Sequence, residues 1–131
     1  MESLSQQDAI AANLADIRGR LARATHRAGR LPSDVRLVAV SKTFPISHVL
    51  AAYAAGQRLF GENRVQEALE KISLSSDTSI EWHLIGHLQS NKARKAASSF
   101  ACIHSIDSVE LLRRVDGAAE EDRRQPELLI Q

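Results

Sequence analysis

An α/β fold with a parallel sheet is predicted by three features of this sequence. Short apolar runs without polar alternation recur along the chain, the texture of strands covered on both faces. Between them apolar residues return at helical spacing, at a pace that suits strand-helix-strand units with right-handed crossovers. The 131 residues are 44% hydrophobic and 25% charged, the balance of an ordinary globular domain. No Pro- or Gly-rich linker and no internal repeat divides them, so residues 1–131 read as a single domain.

The elements follow in order. Ile10, Leu14, Ile17 and Leu21 share one face of an opening helix, with Ser5 and Asp8 spaced as a capping box and Gly29 as its stop. The arginines at 18, 20, 23, 27 and 30 read as a solvated face of that helix. After the turn Leu31–Asp34, Leu37–Val40 form the first strand. Ile46, Val49, Leu50 and Tyr53 resume helical spacing, with Pro45 suited to the first turn and Gly56 to the C-terminal cap. Arg58–Gly61 is the second strand, and Asn63 is placed to cap a helix that buries Val65, Ala68, Leu69 and Ile72, with Glu67 and Lys71 paired one turn apart. Trp82–Ile85 is the third strand, followed by a short helix from Ser90 or Asn91 through Lys95. Phe100–His104 is the fourth strand, Asp107 with Glu110 caps a helix burying Leu111, Leu112 and Val115, and Leu128–Gln131 begins a fifth strand.

Composition excludes several classes. A formal net charge of +1 gives no long-range pull toward nucleic acid or anionic membrane. No apolar run approaches the length of a membrane-spanning helix, and the polar start lacks the pattern of a secretory signal. Cys102 stands alone, which suits a reducing compartment, and the cytoplasm is the expected location.

In α/β architectures chemistry gathers at the C-terminal ends of parallel strands. Those positions hold Ser41-Lys42-Thr43, Glu62-Asn63, Gly86-His87 and His104 to Asp107. Lys42 follows a buried-type run, so its stem would leave the core with the amine at the mouth. Partial burial would lower its pKa and favour Schiff-base chemistry with an aldehyde, whereas a fully solvated lysine simply ends a strand. His83 and His87 are four apart but lie in strand texture interrupted by Gly86, so the helical metal-pair geometry fails and no metal site is expected. Cys102, inside a strand, reads as an inert buried thiol. Ser90 to Lys95 places cations at a helix start, either a solvated face or a phosphate contact. An open doubly wound sheet and part of an eight-stranded barrel both remain compatible with this pattern.

Three segments in register carry a resemblance: Leu37-Val38-Ala39-Val40-Ser41-Lys42-Thr43, Phe60-Gly61-Glu62-Asn63-Arg64-Val65-Gln66-Glu67, and Trp82-His83-Leu84-Ile85-Gly86-His87-Leu88-Gln89-Ser90-Asn91-Lys92. With His104-Ser105-Ile106-Asp107-Ser108 and the ending Leu128–Gln131, they resemble the pyridoxal phosphate homeostasis protein family from about Ile10 onward. The resemblance implies a (β/α)8 TIM-barrel type of fold, like the N-terminal domain of alanine racemase, of which this chain supplies about five strands. It implies that Lys42 carries pyridoxal 5'-phosphate as a Schiff base and that Asn63, His83 and Ile85 border the cofactor. Family members continue for roughly three more strands, which hold the cofactor phosphate, so the chain reads as truncated after the fifth. Its open sheet edges then invite self-association.

The function so implied is carriage or buffering of pyridoxal phosphate, with dependent apoenzymes as recipients and without established catalysis. A racemase using the same cofactor is the alternative. Racemisation needs an acid/base on each face of the substrate carbanion, and the lone Tyr53 falls on a helix stripe expected to be buried. A cofactor-free interaction module using the basic face of the first helix is a second alternative, disfavoured by the near-neutral charge and the lack of interleaved aromatics.

Overall fold

Five parallel strands lie side by side in chain order. They are β1 (Ala39–Val40), β2 (Leu59–Glu62), β3 (Glu81–Leu84), β4 (Cys102–Ile106) and β5 (Glu127–Ile130). The structure, a computed structural model, describes residues 2–131, with side chains from residue 5 onward. Five helices complete it: α1 (Glu2–Arg27), α2 (Ile46–Ala54), α3 (Val65–Leu74), α4 (Ala93–Ser99) and α5 (Val109–Glu121). A doubly wound sheet reverses its strand order at a switch point. Here the order never reverses, and right-handed crossovers in that case lay every helix on the same face. The chain therefore forms a five-stranded part of a (β/α)8-type wall, not an open sheet with two helical layers.

Strand parity sorts the side chains. Phe60, Leu84 and Ile103 face the helices and join one core with Val49 of α2, Ala68 of α3, Ala96 of α4 and Val115 of α5. Each large apolar side chain so buried contributes about 1.5–3 kcal/mol relative to exposure. Alanines at the α4 contacts, Ala93, Ala96 and Ala97, let that short helix sit close to the sheet. The alternate residues face the other way. Val40 pairs with Gly61, Gly61 with His83, and His83 with Cys102, so these positions share the inner face of the wall.

Two polar ties hold the N-terminal side. The Gln57 amide is buried and donates to Leu37 O (2.8 Å) and Leu59 O (2.9 Å), joining the starts of the first two strands. Arg18 of α1 donates to Ala55 O (3.0 Å) and Gln57 Oε1 (2.8 Å), where the last carbonyls of α2 need partners. Gly29 and Gly56 adopt φ of 68° and 100°, the left-handed conformation that ends α1 and α2 as expected.

Several local expectations are corrected. The first helix begins at Glu2, so Ser5 and Asp8 lie inside it and cap nothing. Pro45 stands just before α2 as its N-cap. Asn63 precedes α3 by two residues. The N-cap is Arg64, with no side-chain capping bond. Ser108, not Asp107, caps α5 by accepting from Leu111 N at 3.0 Å. The helix expected from Ser90 opens as a 3-10 turn, Ser90–Lys92, before α4 begins. Among the described residues no helix is long and apolar enough to cross a membrane.

Candidate functional site

Lys42 occupies the turn that leaves β1. Ser41 N–H donates to Gly61 O at 3.0 Å, keeping the strand pairing one residue past Val40. Phe44 N–H then donates to Ser41 O at 3.1 Å, closing a turn with Lys42 and Thr43 at its centre. Val38, Val40 and Lys42 are in phase, and Val38 packs over Gly61 beside Ile85, which puts this phase on the inner face. The expectation of a partly desolvated amine is not met, because Lys42 is exposed. It stands on an edge strand, next to a Val40 that is itself 51% exposed.

Asn63 follows β2 and is half-buried. Its backbone lies directly against Gly86, where an added Cβ would fall 2.8 Å from Asn63 Cα and 2.9 Å from its carbonyl carbon. The close approach needs a glycine, and it ties the loop after β2 to the loop after β3. Ile85, half-buried, continues the β3 pairing through its N–H to Glu62 O at 2.9 Å. Asn63, Arg64, Gln66, His87, Gln89 and Lys92 line a cleft of about 260 Å³ at this end of the sheet. Three of them carry basic side chains. Lys42 does not line this cleft; its amine stands on the neighbouring strand end, where a lysine can add to an aldehyde, and the cleft offers basic side chains to an anion.

His83 is placed differently from Asn63 and Ile85. It is buried deeper along β3, and its Nε2 lies 2.7 Å from Glu81 Oε2. A carboxylate only accepts, so Nε2 donates, and Nδ1 on the other side of the ring lies 3.0 Å from His104 Nε2. Cys102 joins this pair, and one ligand-type atom from each of the three lies within 4.8 Å of the others. Sequence reading missed the grouping because its members sit on two strands, although equal strand parity at 83, 102 and 104 is a readable sign. Burial pushes the Cys102 thiol up, with Glu127 adding to it, so the thiol stays protonated and inert.

Burial lowers the His104 pKa below its ordinary 6.5, and the neighbouring His83 pushes it the same way. The folded protein therefore binds this proton less readily than the unfolded chain. Stability is unaffected at high pH, begins to fall as pH drops through about 6.5, and has lost the full contribution below the lower folded value. Urea midpoints measured from pH 8 to 5 are expected to decline over this range, with a shallower decline in His104→Gln. Parallel curves for the two proteins would show that His104 does not set this dependence.

The structure thus gathers Lys42, Asn63 and Ile85 at strand ends and sets His83 lower, among Glu81, His104 and Cys102. Tyr53 stands near the C-terminal end of α2, away from the helix start that follows Lys42. Its hydroxyl lies 3.1 Å from Ser79 Oγ, and Arg58 stacks on its ring. Sequence reading also missed the group beneath the Lys42 turn. Glu62 and Lys71 are both buried and paired at 3.0 Å, and Ser41 hydrogen-bonds to Glu62. Glu67, read correctly as paired with Lys71 (3.3 Å), also accepts from Thr43 N–H at 2.8 Å. That backbone bond chiefly holds the Glu67 carboxyl below the usual range, with Lys71 assisting against some burial.

No protein-family profile matches the chain. Among curated proteins it is 51% identical over 102 residues to the pyridoxal phosphate homeostasis protein of Synechocystis sp., covering 77% of this chain and 47% of that protein. It is 45% identical over 122 residues to the protein of the same name from Escherichia coli, covering 91% and 50%. Among solved structures, PipY of Synechococcus elongatus with pyridoxal phosphate bound matches with a TM-score of 0.79 at 49% identity, over 91% of this chain and 52% of that one. A crystal structure described as that of an unknown protein from Bifidobacterium adolescentis matches with a TM-score of 0.82 at 32% identity, over 95% and 55%. The chain spans about half the length of the curated relatives it matches.

Proposed function

From the kinship of this chain with the pyridoxal phosphate homeostasis proteins over about half their length, we propose that it binds pyridoxal 5'-phosphate and carries or buffers the cofactor without catalysing its chemistry. Lys42 supplies the amine. Its nitrogen adds to the aldehyde carbon and water leaves, so the link forms without any redox partner and can be undone by another amine. Asn63 and Ile85 border the group from the neighbouring strand ends, and the basic cleft beside Asn63 offers charge to a phosphate. His83, lower on the inner face, supports the floor. The observation that carries this reading is the placement of Lys42 at the strand end of a fold that matches PipY with pyridoxal phosphate bound.

Residues 1–131 act in this reading as one partial barrel domain, in the cytoplasm, passing cofactor to dependent apoenzymes. The edge strands β1 and β5 offer unpaired backbone to a second chain, so self-association accompanies it. The test is covalent. After incubation with pyridoxal phosphate, borohydride reduction and digestion, mass spectrometry is expected to find the modified peptide at Lys42, and Lys42→Ala is expected to abolish that label. Labelling spread evenly over the surface lysines would reduce the proposal to non-specific aldehyde chemistry.

A further inference from the structure

The backbone on both sides of Lys42 is gripped by one buried ion cluster. Lys71 of α3 is 6% exposed. Its ammonium donates to Ser41 O at 2.7 Å, to the two Glu62 oxygens at 3.1 and 3.0 Å, and to Glu67 Oε1 at 3.3 Å. An ammonium has three protons, and these three groups use them. The same carboxylates hold the turn a second time, Glu62 through the Ser41 hydroxyl and Glu67 through Thr43 N–H. Lys42, between those two residues, is left exposed with its backbone clamped on either side.

Stability alone is a weak account of this cluster. Burying an ion pair is costly, and well-packed apolar side chains of similar volume often serve a core as well or better. The turn itself supplies a different reason. Thr43 has φ of 67°, a left-handed conformation that a β-branched residue rarely adopts. A turn in that conformation persists only where its surroundings hold it, and the Glu67 contact on Thr43 N–H is such a hold. Resting on the reading of Lys42 as the aldehyde-binding amine, we propose that Lys71, acting with Glu62 and Glu67, is a positioning residue that fixes the Ser41–Thr43 backbone and so the direction in which the Lys42 amine leaves its strand.

The test compares Lys71→Met and Lys71→Arg with the parent 131-residue chain. In Lys71→Met, which leaves the buried Glu62 carboxylate without its main partner and lowers overall stability, amide exchange at Thr43 and Phe44 is expected to quicken about tenfold beyond any change in the amides of α5, the scale of one lost hydrogen bond to a charged group. Formation of the imine with pyridoxal phosphate, followed by its visible absorbance, is expected to slow in the same variant, and Lys71→Arg to recover most of both effects. Should Lys71→Met fail to fold, Glu67→Ala removes the hold on Thr43 and one Lys71 contact from a partly exposed site while the buried Glu62–Lys71 pair stays, and the same local quickening is expected there. Unchanged exchange in the turn, or exchange that rises only in step with α5, overturns the proposal. A parent chain that takes up no aldehyde on Lys42 defeats the function proposed above, and the exchange comparison still decides whether Lys71 fixes the turn.

Discussion

Gly86→Ala is expected to destabilise the protein strongly, although it adds a single methyl group. That methyl would lie 2.8 Å from Asn63 Cα and 2.9 Å from Asn63 C, with the carbonyl oxygen in contact as well. Comfortable carbon separations are about 3.5–4.0 Å. A flexible side chain would swing aside, but the obstacle here is backbone. It is anchored on one flank by Ile85 N–H to Glu62 O (2.9 Å) and on the other by the start of α3, where Ala68 N–H bonds Arg64 O (3.0 Å). Overpacking of this kind costs about 1–3 kcal/mol, and the rigid neighbour argues for the upper part of that range. Urea denaturation should show a lower midpoint at unchanged slope. The loops after β2 and β3 would also part, so the proposed labelling of Lys42 by aldehyde should become less selective. A midpoint equal to the parent's would mean that the two loops separate freely.

Glu62→Ala is expected to cost more. The carboxylate is fully buried, and it is the partner that justifies an ammonium in the same place. Removing one member of a buried pair strands the other charge, typically at about 3–5 kcal/mol. Glu67 remains 3.3 Å from Lys71 and softens the loss, so the lower end of that range is expected. Against a total stability on the order of 5–15 kcal/mol, this is a large share of what holds the fold and gives a clear drop in melting temperature. The double variant Glu62→Ala/Lys71→Met should recover part of the loss, since no charge is then stranded. A thermal melt unchanged by Glu62→Ala would show that the pair is not closed in solution.

Most of the fold was legible because it is written in apolar runs. Each of the five runs is a strand, shifted by a residue or two at its ends, and each helical stripe is a helix. The caps were less legible. Asp107 and Ser108 are both good N-caps, and only the entry angle of the chain selects Ser108. Asn63 has the right residue type, but the close passage of Gly86 takes its backbone for another purpose. At the candidate site, Lys42 and Asn63 were legible as strand-end residues, whereas Ile85 was named only through the family resemblance. Lys71 was not legible, because a Glu–Lys pair four apart on a helix reads as a surface pair. The readable clue lies elsewhere. Glu62 stands two residues after the buried Phe60, and strand alternation sends both toward the helices. A carboxylate on that side requires a cation, and α3 packs against β2. The degree of exposure of Lys42 was not legible at all, since it depends on what covers the inner face and not on the residues that precede it.

The Gln57 amide, bound to the carbonyls of Leu37 and Leu59, has a consequence at the far end of the strand. A β-strand presents its side chains left and right by turns, so whether a residue lands on one side or the other is a matter of odd and even. Slipping β1 by a single position would send the Lys42 amine among the helices and turn Ser41 outward. Gln57 settles that count where the strand starts. The side of the sheet from which Lys42 departs is thus set five residues earlier, by a side chain at the opposite end of the strand.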